Sequence, residues 1–250
     1  MIEKSFNNKN NLMDTKEKLI IVGIGGMAPE VVDFVTRYDL YDIVAFSVDS
    51  NYIKSPTYMN CPVYPLEDLE SYVSLYDVKL FVAISWYNYL NRYKRQKFET
   101  LKAKGFLFAN LISPLASVNC SSMGEGNWIQ DFAYLGYQSE IGNNNTFCSH
   151  SLLGHYSVIG NHNVLSGRAS VAGNNQVGDQ NYFGMCSSVF NKLVLGNKNL
   201  IGGGSIVKKN IGNCTIVTAP DSKFTQATEK AVEFCLSPKS VEIVNNVLDK

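Results

Sequence analysis

Residues 153–188 read "LGHYSV IGNHNV LSGRAS VAGNNQ VGDQNY FGMCSS", six successive hexapeptides that each open on an apolar residue. The register runs well beyond them. From Met123 every sixth residue is apolar, through Ile129, Leu135, Ile141 and Phe147 to Ile201 and Val207, fifteen positions without a break. Glycine often follows, as at Gly124, Gly136, Gly154 and Gly184. A second period is superimposed. Taken every 18 residues, Met123, Ile141, Ile159, Val177 and Leu195 are each followed by glycine and then by Glu125, Asn143, Asn161, Asp179 and Asn197. Three short strands per coil, stacked coil on coil, account for both periods. Asn, Asp and Gly tolerate the positive φ and the side-chain-to-backbone bonds of tight corners. The six-spaced apolar side chains then point into a triangular prism, each lying on its counterpart in the next coil. Such an array is a solenoid stabilised by nearest-neighbour stacking.

Upstream of about residue 111 the pattern is α/β. "KLIIVG" is a continuous apolar run, as a buried parallel strand requires. "GIGGMA" is a tight glycine-rich turn, and Pro29 falls in the first turn of a helix, "PEVVDFVTRYDL". "DIVAFSVD" is a second strand ending at Asp49, "PLEDLESYV" reads as helical, and "VKLFVAIS" is a third strand ending at Ser85. A basic amphipathic helix, "YLNRYKRQKFETLKAKG", closes at Gly105. Alternating strands and helices imply a small Rossmann-like parallel sheet. The expected organisation is a polar tail over 1–17, the sheet domain over 18–110, the prism over 111–222 and a helical extension over 223–250 that caps the open end of the solenoid.

Bulk composition narrows the function. Lys+Arg and Asp+Glu both number 22, so no basic footprint for nucleic acid is present. The six cysteines are scattered without a C-x-x-C pair, which fits reduced thiols in the cytoplasm. No run of 18 apolar residues predicts a membrane span, and the Asn-rich start lacks the apolar stretch of a signal peptide.

A glycine-rich strand–turn–helix domain followed by these hexapeptides resembles the hexapeptide-repeat sugar acyltransferases of the sialic acid O-acetyltransferase type. That group includes the bacterial nucleotide-sugar N-acetyltransferases. The resemblance covers roughly residues 18–222. It implies that the prism is a left-handed parallel β-helix, an exception to the right-handed crossover rule. It also implies an acetyl-CoA-dependent transfer to a nucleotide-activated amino sugar in surface polysaccharide or lipopolysaccharide biosynthesis, without a metal. Trimers that hold acetyl-CoA in the groove between two prisms are expected.

The resemblance places roles on particular residues. "GIGGMAPEVV" is the counterpart of the nucleotide-sugar turn. There Gly23, Gly25 and Gly26 would let the backbone approach a diphosphate at the positive end of the helix; strand–helix packing is the other use of such a turn. Met27 stands where the family usually has histidine. Asp49 ends the second strand, where an acid commonly meets a ribose or base, and Ser85, with Asn88 nearby, stands where glycine is more usual.

The family's base histidine lies in a G-H-[DE]-x-x-I-G hexapeptide, matched here by Gly154-His155-Tyr156-Ser157-Val158-Ile159-Gly160. His155 therefore takes the base role. Gly173, one coil on, takes that of a backbone N–H that polarises the thioester oxygen and lies in the acetyl-CoA site. Tyr156 replaces the acid that would orient the imidazole, leaving Tyr156, Glu140, Gln138 or Asn174 for that task. The family's further histidine, nine residues after the base, is Val164.

His150 could neighbour the acetyl-CoA cleft, and His162, in a polar column, reads as an exposed corner residue. The spacing His150-x4-His155 also occurs in β-helical carbonic anhydrases. Their third histidine would lie about two coils earlier, where this chain has Pro114. Two alternatives remain: an O-acetyltransferase of a sialic-acid-like sugar or polysaccharide unit, and a non-catalytic β-helical scaffold.

Overall fold

The computed structural model describes residues 16–75, 77–85 and 90–220. The chain termini, including the expected helical extension over 223–250, and Asn88 lie outside the described residues.

The first half forms a six-stranded sheet. Its strands are β1 (Lys18–Val22), β2 (Asp42–Val48), β3 (Thr57–Tyr58), β4 (Cys61–Pro65), β5 (Val78–Val82) and β6 (Leu107–Phe108), in the order β3-β4-β2-β1-β5-β6. All neighbours are parallel except β3 and β4. β1 is central and buried on both faces. Leu19 and Ile21 pack towards helix α1 (Met27–Arg37), and Ile20 and Val22 towards helix α2 (Arg92–Ala103).

The chain leaves β1 to form β2 on one side and returns to form β5 on the other. The ends of β1 and β5 thus diverge at a switch point, where open parallel sheets leave a crevice. The β3–β4 hairpin was not legible in the sequence. Its loop, Met59 and Asn60, has positive φ at both residues (47° and 65°) without the usual glycine. The segment expected as a helix at Pro65–Val73 is a short 3₁₀ turn, Leu66–Ser71, interrupted at Asp68 (φ −128°).

Beyond Asn110 the chain winds into a prism of two-residue strands gathered in three parallel sheets of seven, six and five strands. From Met123 to Val207 each strand pairs with the one 18 residues on, as in Leu153↔Val171 and Ile159↔Val177. The fifteen six-spaced apolar residues fill the interior together. Gly154 shows how closely the coils stack: a Cβ there would lie 2.4 Å from the Ala172 carbonyl carbon. At the ends the period slips. Trp128 pairs with Leu111, and Leu200 with Ile216.

Buried asparagines stitch one corner from coil to coil. Asn127, Asn145, Asn163, Asn181 and Asn199 each donate a backbone N–H to the side-chain oxygen of the asparagine one coil below, beginning at Asn110. A second ladder uses Asn143, Asn161, Asp179, Asn197 and Asn213 as acceptors. The inward side-chain oxygens are tolerable because each accepts a hydrogen bond.

The sheet and prism share a core. Trp128 meets Phe34 and Phe81 edge-on at 5.6 and 6.1 Å, and Val164 joins the same cluster. Among the described residues no helix is long and apolar enough to cross a membrane.

Candidate active site

The crevice at the switch point is a cleft of about 810 Å³. It gathers all six residues proposed from the sequence: Gly23, Gly25 and Gly26 after β1, Met27 at the start of α1, Asp49 after β2 and Ser85 after β5. The glycines differ in purpose. Gly23 has φ +113°, and a Cβ would sit 2.9 Å from the Ala83 carbonyl oxygen, so the turn itself requires glycine. Around Gly25 and Gly26 a Cβ would meet nothing within 4 Å. Packing does not explain them, and they leave the backbone open to the cleft. No side chain caps α1. In its first turn the Ala28 N–H is bonded to the Gly25 carbonyl at 2.9 Å and Pro29 has no N–H, so the positive end of the helix faces the cleft mainly through the Gly25–Met27 turn. Met27 is itself nearly buried and belongs to the core as much as to the cleft.

Glu30, Lys54, Tyr52 and Tyr58 also line the cleft, with Ser55 and Thr57. The Glu30 carboxyl is raised above its ordinary range by burial and by Asp33. Asp49 forms an ion pair with Lys97 of α2.

The second candidate region is the prism corner after Leu153. His155 is exposed there, and its ring lies over Gly173. A Cβ on Gly173 would come within 2.6–2.9 Å of three imidazole atoms. Glycine at 173 is what gives the ring its seat.

The side chain that meets the imidazole is Asn174, whose amide lies 3.4 Å from Nε2. If the amide nitrogen donates, Nε2 is occupied and Nδ1 carries the proton. If the amide is turned over, its oxygen accepts from Nε2–H and Nδ1 is left as the base. Tyr156 occupies the left-handed backbone region (φ 54°) and is 56% exposed. Its ring meets His155 edge-on at 5.7 Å and Tyr137 at 5.8 Å. Glu140 stands on a strand beside Val158 with its side chain outward. Of Tyr156, Glu140, Gln138 and Asn174, Asn174 is the residue whose side chain lies within hydrogen-bond distance of the imidazole.

The three histidines occupy three different corners. His150, at φ 60°, stacks on Phe132 from the coil below, with centroids 4.9 Å apart and planes at 19°. His162 is not the exposed corner residue its column suggested. Its side chain is 8% exposed, because α2 covers that corner. Asn144 contacts its Nδ1 at 2.9 Å, Phe98 meets the ring edge-on, and Glu99 lies 3.5 Å from Nε2. Burial, and then the nearby Lys94 ammonium, push its pKa down to about 4.

Lys94 is fully buried at the same junction. Its Nζ donates to Thr146 Oγ1 at 3.2 Å, and burial lowers its pKa to about 7. Burial, followed by the nearby Glu30, raises the Cys148 thiol to about 12. Asn91 reaches the His162 carbonyl at 3.0 Å.

No protein-family model matches the sequence, and no curated protein matches it. Solved structures do. The acetyltransferase domain of PglB from Neisseria gonorrhoeae FA1090, in complex with acetyl coenzyme A, superposes with a TM-score of 0.68 at 20% identity over 81% of this chain and 98% of that one. A variant of perosamine N-acetyltransferase from Caulobacter crescentus, in complex with CoA and GDP-perosamine, gives 0.67 at 21% identity over 81% and 97%. WeeI from Acinetobacter baumannii AYE gives 0.67 at 21% over 80% and 96%. The chain has the fold these proteins share, a Rossmann-like sheet followed by a left-handed parallel β-helix.

Proposed function

We propose that the protein is an acetyl-CoA-dependent N-acetyltransferase acting on a nucleotide-linked amino-deoxy sugar. The observation that carries this reading is the pairing, in one fold, of an open glycine-lined cleft at the sheet's switch point with a histidine seated over a glycine on the prism. The solved structures of the same fold include one bound to acetyl coenzyme A and one bound to CoA and GDP-perosamine. The cleft holds the nucleotide, with Gly25, Gly26 and the start of α1 against the diphosphate and Asp49 against the nucleoside. The sugar amine attacks the thioester carbonyl carbon while His155 takes the amine's proton. The Gly173 N–H faces the oxyanion. Collapse expels the CoA thiolate, which recovers the proton from the imidazolium.

A second copy of the chain completes the acetyl-CoA groove. The exposed Tyr137, Tyr156, Phe190, Val158 and Val194 form an apolar margin of the kind that such a contact buries. The active form is accordingly a trimer, acting in the cytoplasm on a precursor of a surface glycan.

CoA release from acetyl-CoA in the presence of nucleotide-linked amino sugars tests the reaction. His155→Ala lowers kcat by ~10²–10⁴-fold, the usual worth of a general base, with an unchanged melting temperature. No turnover by the wild type, or equal turnover by His155→Ala, defeats the assignment. An N-acetyl product survives mild base, whereas the ester of an O-acetyltransferase does not.

A further inference from the structure

Behind the wall of the nucleotide cleft lies a smaller cavity of about 270 Å³. Asp49 lines both, whereas Lys97 lines only the smaller one. Asp49 thus stands as a partition, with Lys97 on its far side. Its backbone has hydrogen bonds of its own, one of them through Glu67, whose carboxylate also feels the Lys97 charge. The Tyr52 N–H donates to the Asp49 carbonyl at 2.8 Å. The next residue, Ser50, donates its N–H and hydroxyl to the Glu67 carboxylate at 3.1 and 2.7 Å. The Lys97 ammonium holds Asp49 Oδ1.

We infer that Lys97 is a positioning residue for nucleotide recognition, holding one Asp49 oxygen from behind so that the other accepts a hydrogen bond from a ribose hydroxyl or base N–H in the cleft. This rests on the functional reading above.

Two physical points support it. A carboxylate free to rotate loses ordering energy each time it binds, and a fixed one does not. The cleft is also to receive a diphosphate, and Glu30 already lines it. Lys97 offsets the charge of Asp49 without occupying ligand space.

A purely structural role would look different. The pair is about one-third exposed on both sides. Such partly exposed pairs contribute little to folding, so the variants fold, and an effect on binding is separable from stability.

The test is calorimetric titration with GDP, UDP and dTDP of the wild type, Lys97→Met, Lys97→Arg, Asp49→Asn and the double variant Lys97→Met/Asp49→Asn. For the diphosphate that binds tightest, Lys97→Met weakens affinity ~10-fold and Lys97→Arg recovers most of it. The double variant binds no worse than Asp49→Asn alone, because Lys97 acts through Asp49. In turnover, KM for the nucleotide sugar rises while kcat holds. Wild-type affinity in Lys97→Met, or losses that add in the double variant, overturns the inference and leaves the transferase reading standing. Nucleotide binding that tracks Lys97 in a protein that transfers no acetyl group does the reverse. A wild type that binds none of the three diphosphates defeats both.

Discussion

His155 and His162 lie seven residues apart, on successive corners of one prism, yet their surroundings are opposite. The corner of His155 is open. Its ring rests on Gly173 and touches Asn174, and the aromatic neighbours, Tyr137 and Tyr156, are exposed. The corner of His162 is closed by α2, which brings Phe98, Glu99 and the buried Lys94 against it. The backbones behind them differ too. Behind His162, Asn163 belongs to a ladder of asparagines that runs the length of the prism. Behind His155, Ser157 makes the local bonds, donating to the Ala172 carbonyl and accepting from Asn175 N–H. The repeat decides where a side chain leaves the prism. What packs on the corner decides whether that side chain can do chemistry.

The sharpest contrast is in protonation. His162 takes a proton readily in the unfolded chain but resists it when folded. Between pH 6.5 and about 4 the unfolded state therefore binds more protons, and stability falls as the pH is lowered through that window. The neutral form is fully retained above 6.5. The shift corresponds to roughly 3 kcal/mol as an upper bound. His162→Gln suits the corner, since Gln138 and Gln180 already occupy equivalent positive-φ positions. Lys94, Arg95, Glu99 and Asp179 surround the site and contribute their own titrations, so the quantity to measure is the difference between the two proteins. Chemical denaturation from pH 7 to 4 gives a shallower loss for His162→Gln. Parallel profiles would mean that α2 does not seal the corner.

Opening and closing can also be tested at His155. Gly173→Ala keeps the backbone N–H and, at an ordinary φ, costs the fold little. Its methyl takes the space of the imidazole. The ring is exposed and swings away, because Asn174 holds it by one long contact. Displacing a base by about 1 Å costs ~10–100-fold in kcat, with KM for acetyl-CoA and the melting temperature near wild type. An equal kcat would show that the ring's seat over Gly173 is not the reactive one.

Much of this was legible in the sequence, and the failures share a cause. The prism from Met123 to Val207 could be read because each coil presents the same inward residue to the next. The slips of the first and last coils could not, because nothing beyond them continues the count. The asparagine column at 127, 145, 163, 181 and 199 stood in plain view at the 18-residue period and was overlooked beside the apolar one. The cleft residues could be grouped because a glycine-rich turn and residues at the ends of parallel strands fall at one edge of the sheet. His162 was misread because a periodic pattern reports only the contacts of its own coil, whereas α2 arrives from residues 92–103. The hairpin at Met59-Asn60 lacked the glycine that would have announced it.

The smallest expected effect concerns Tyr156. It occupies the left-handed turn position that Asn144 and Asn174 fill at equivalent points of other coils. Asparagine bears that conformation more easily than an aromatic residue. Tyr156 is half-exposed and gives up only edge-on ring contacts. Tyr156→Asn therefore stabilises the fold by a few tenths to ~1 kcal/mol, the scale of one relieved left-handed residue. Tyr156→Asp relieves the same strain and adds a charge beside the imidazole, which stabilises the imidazolium formed when the base takes its proton. The two variants should share one melting temperature but not one kcat, with Asp the faster. Equal rates would mean that His155 needs no anion, and that the Asn174 amide suffices to hold it.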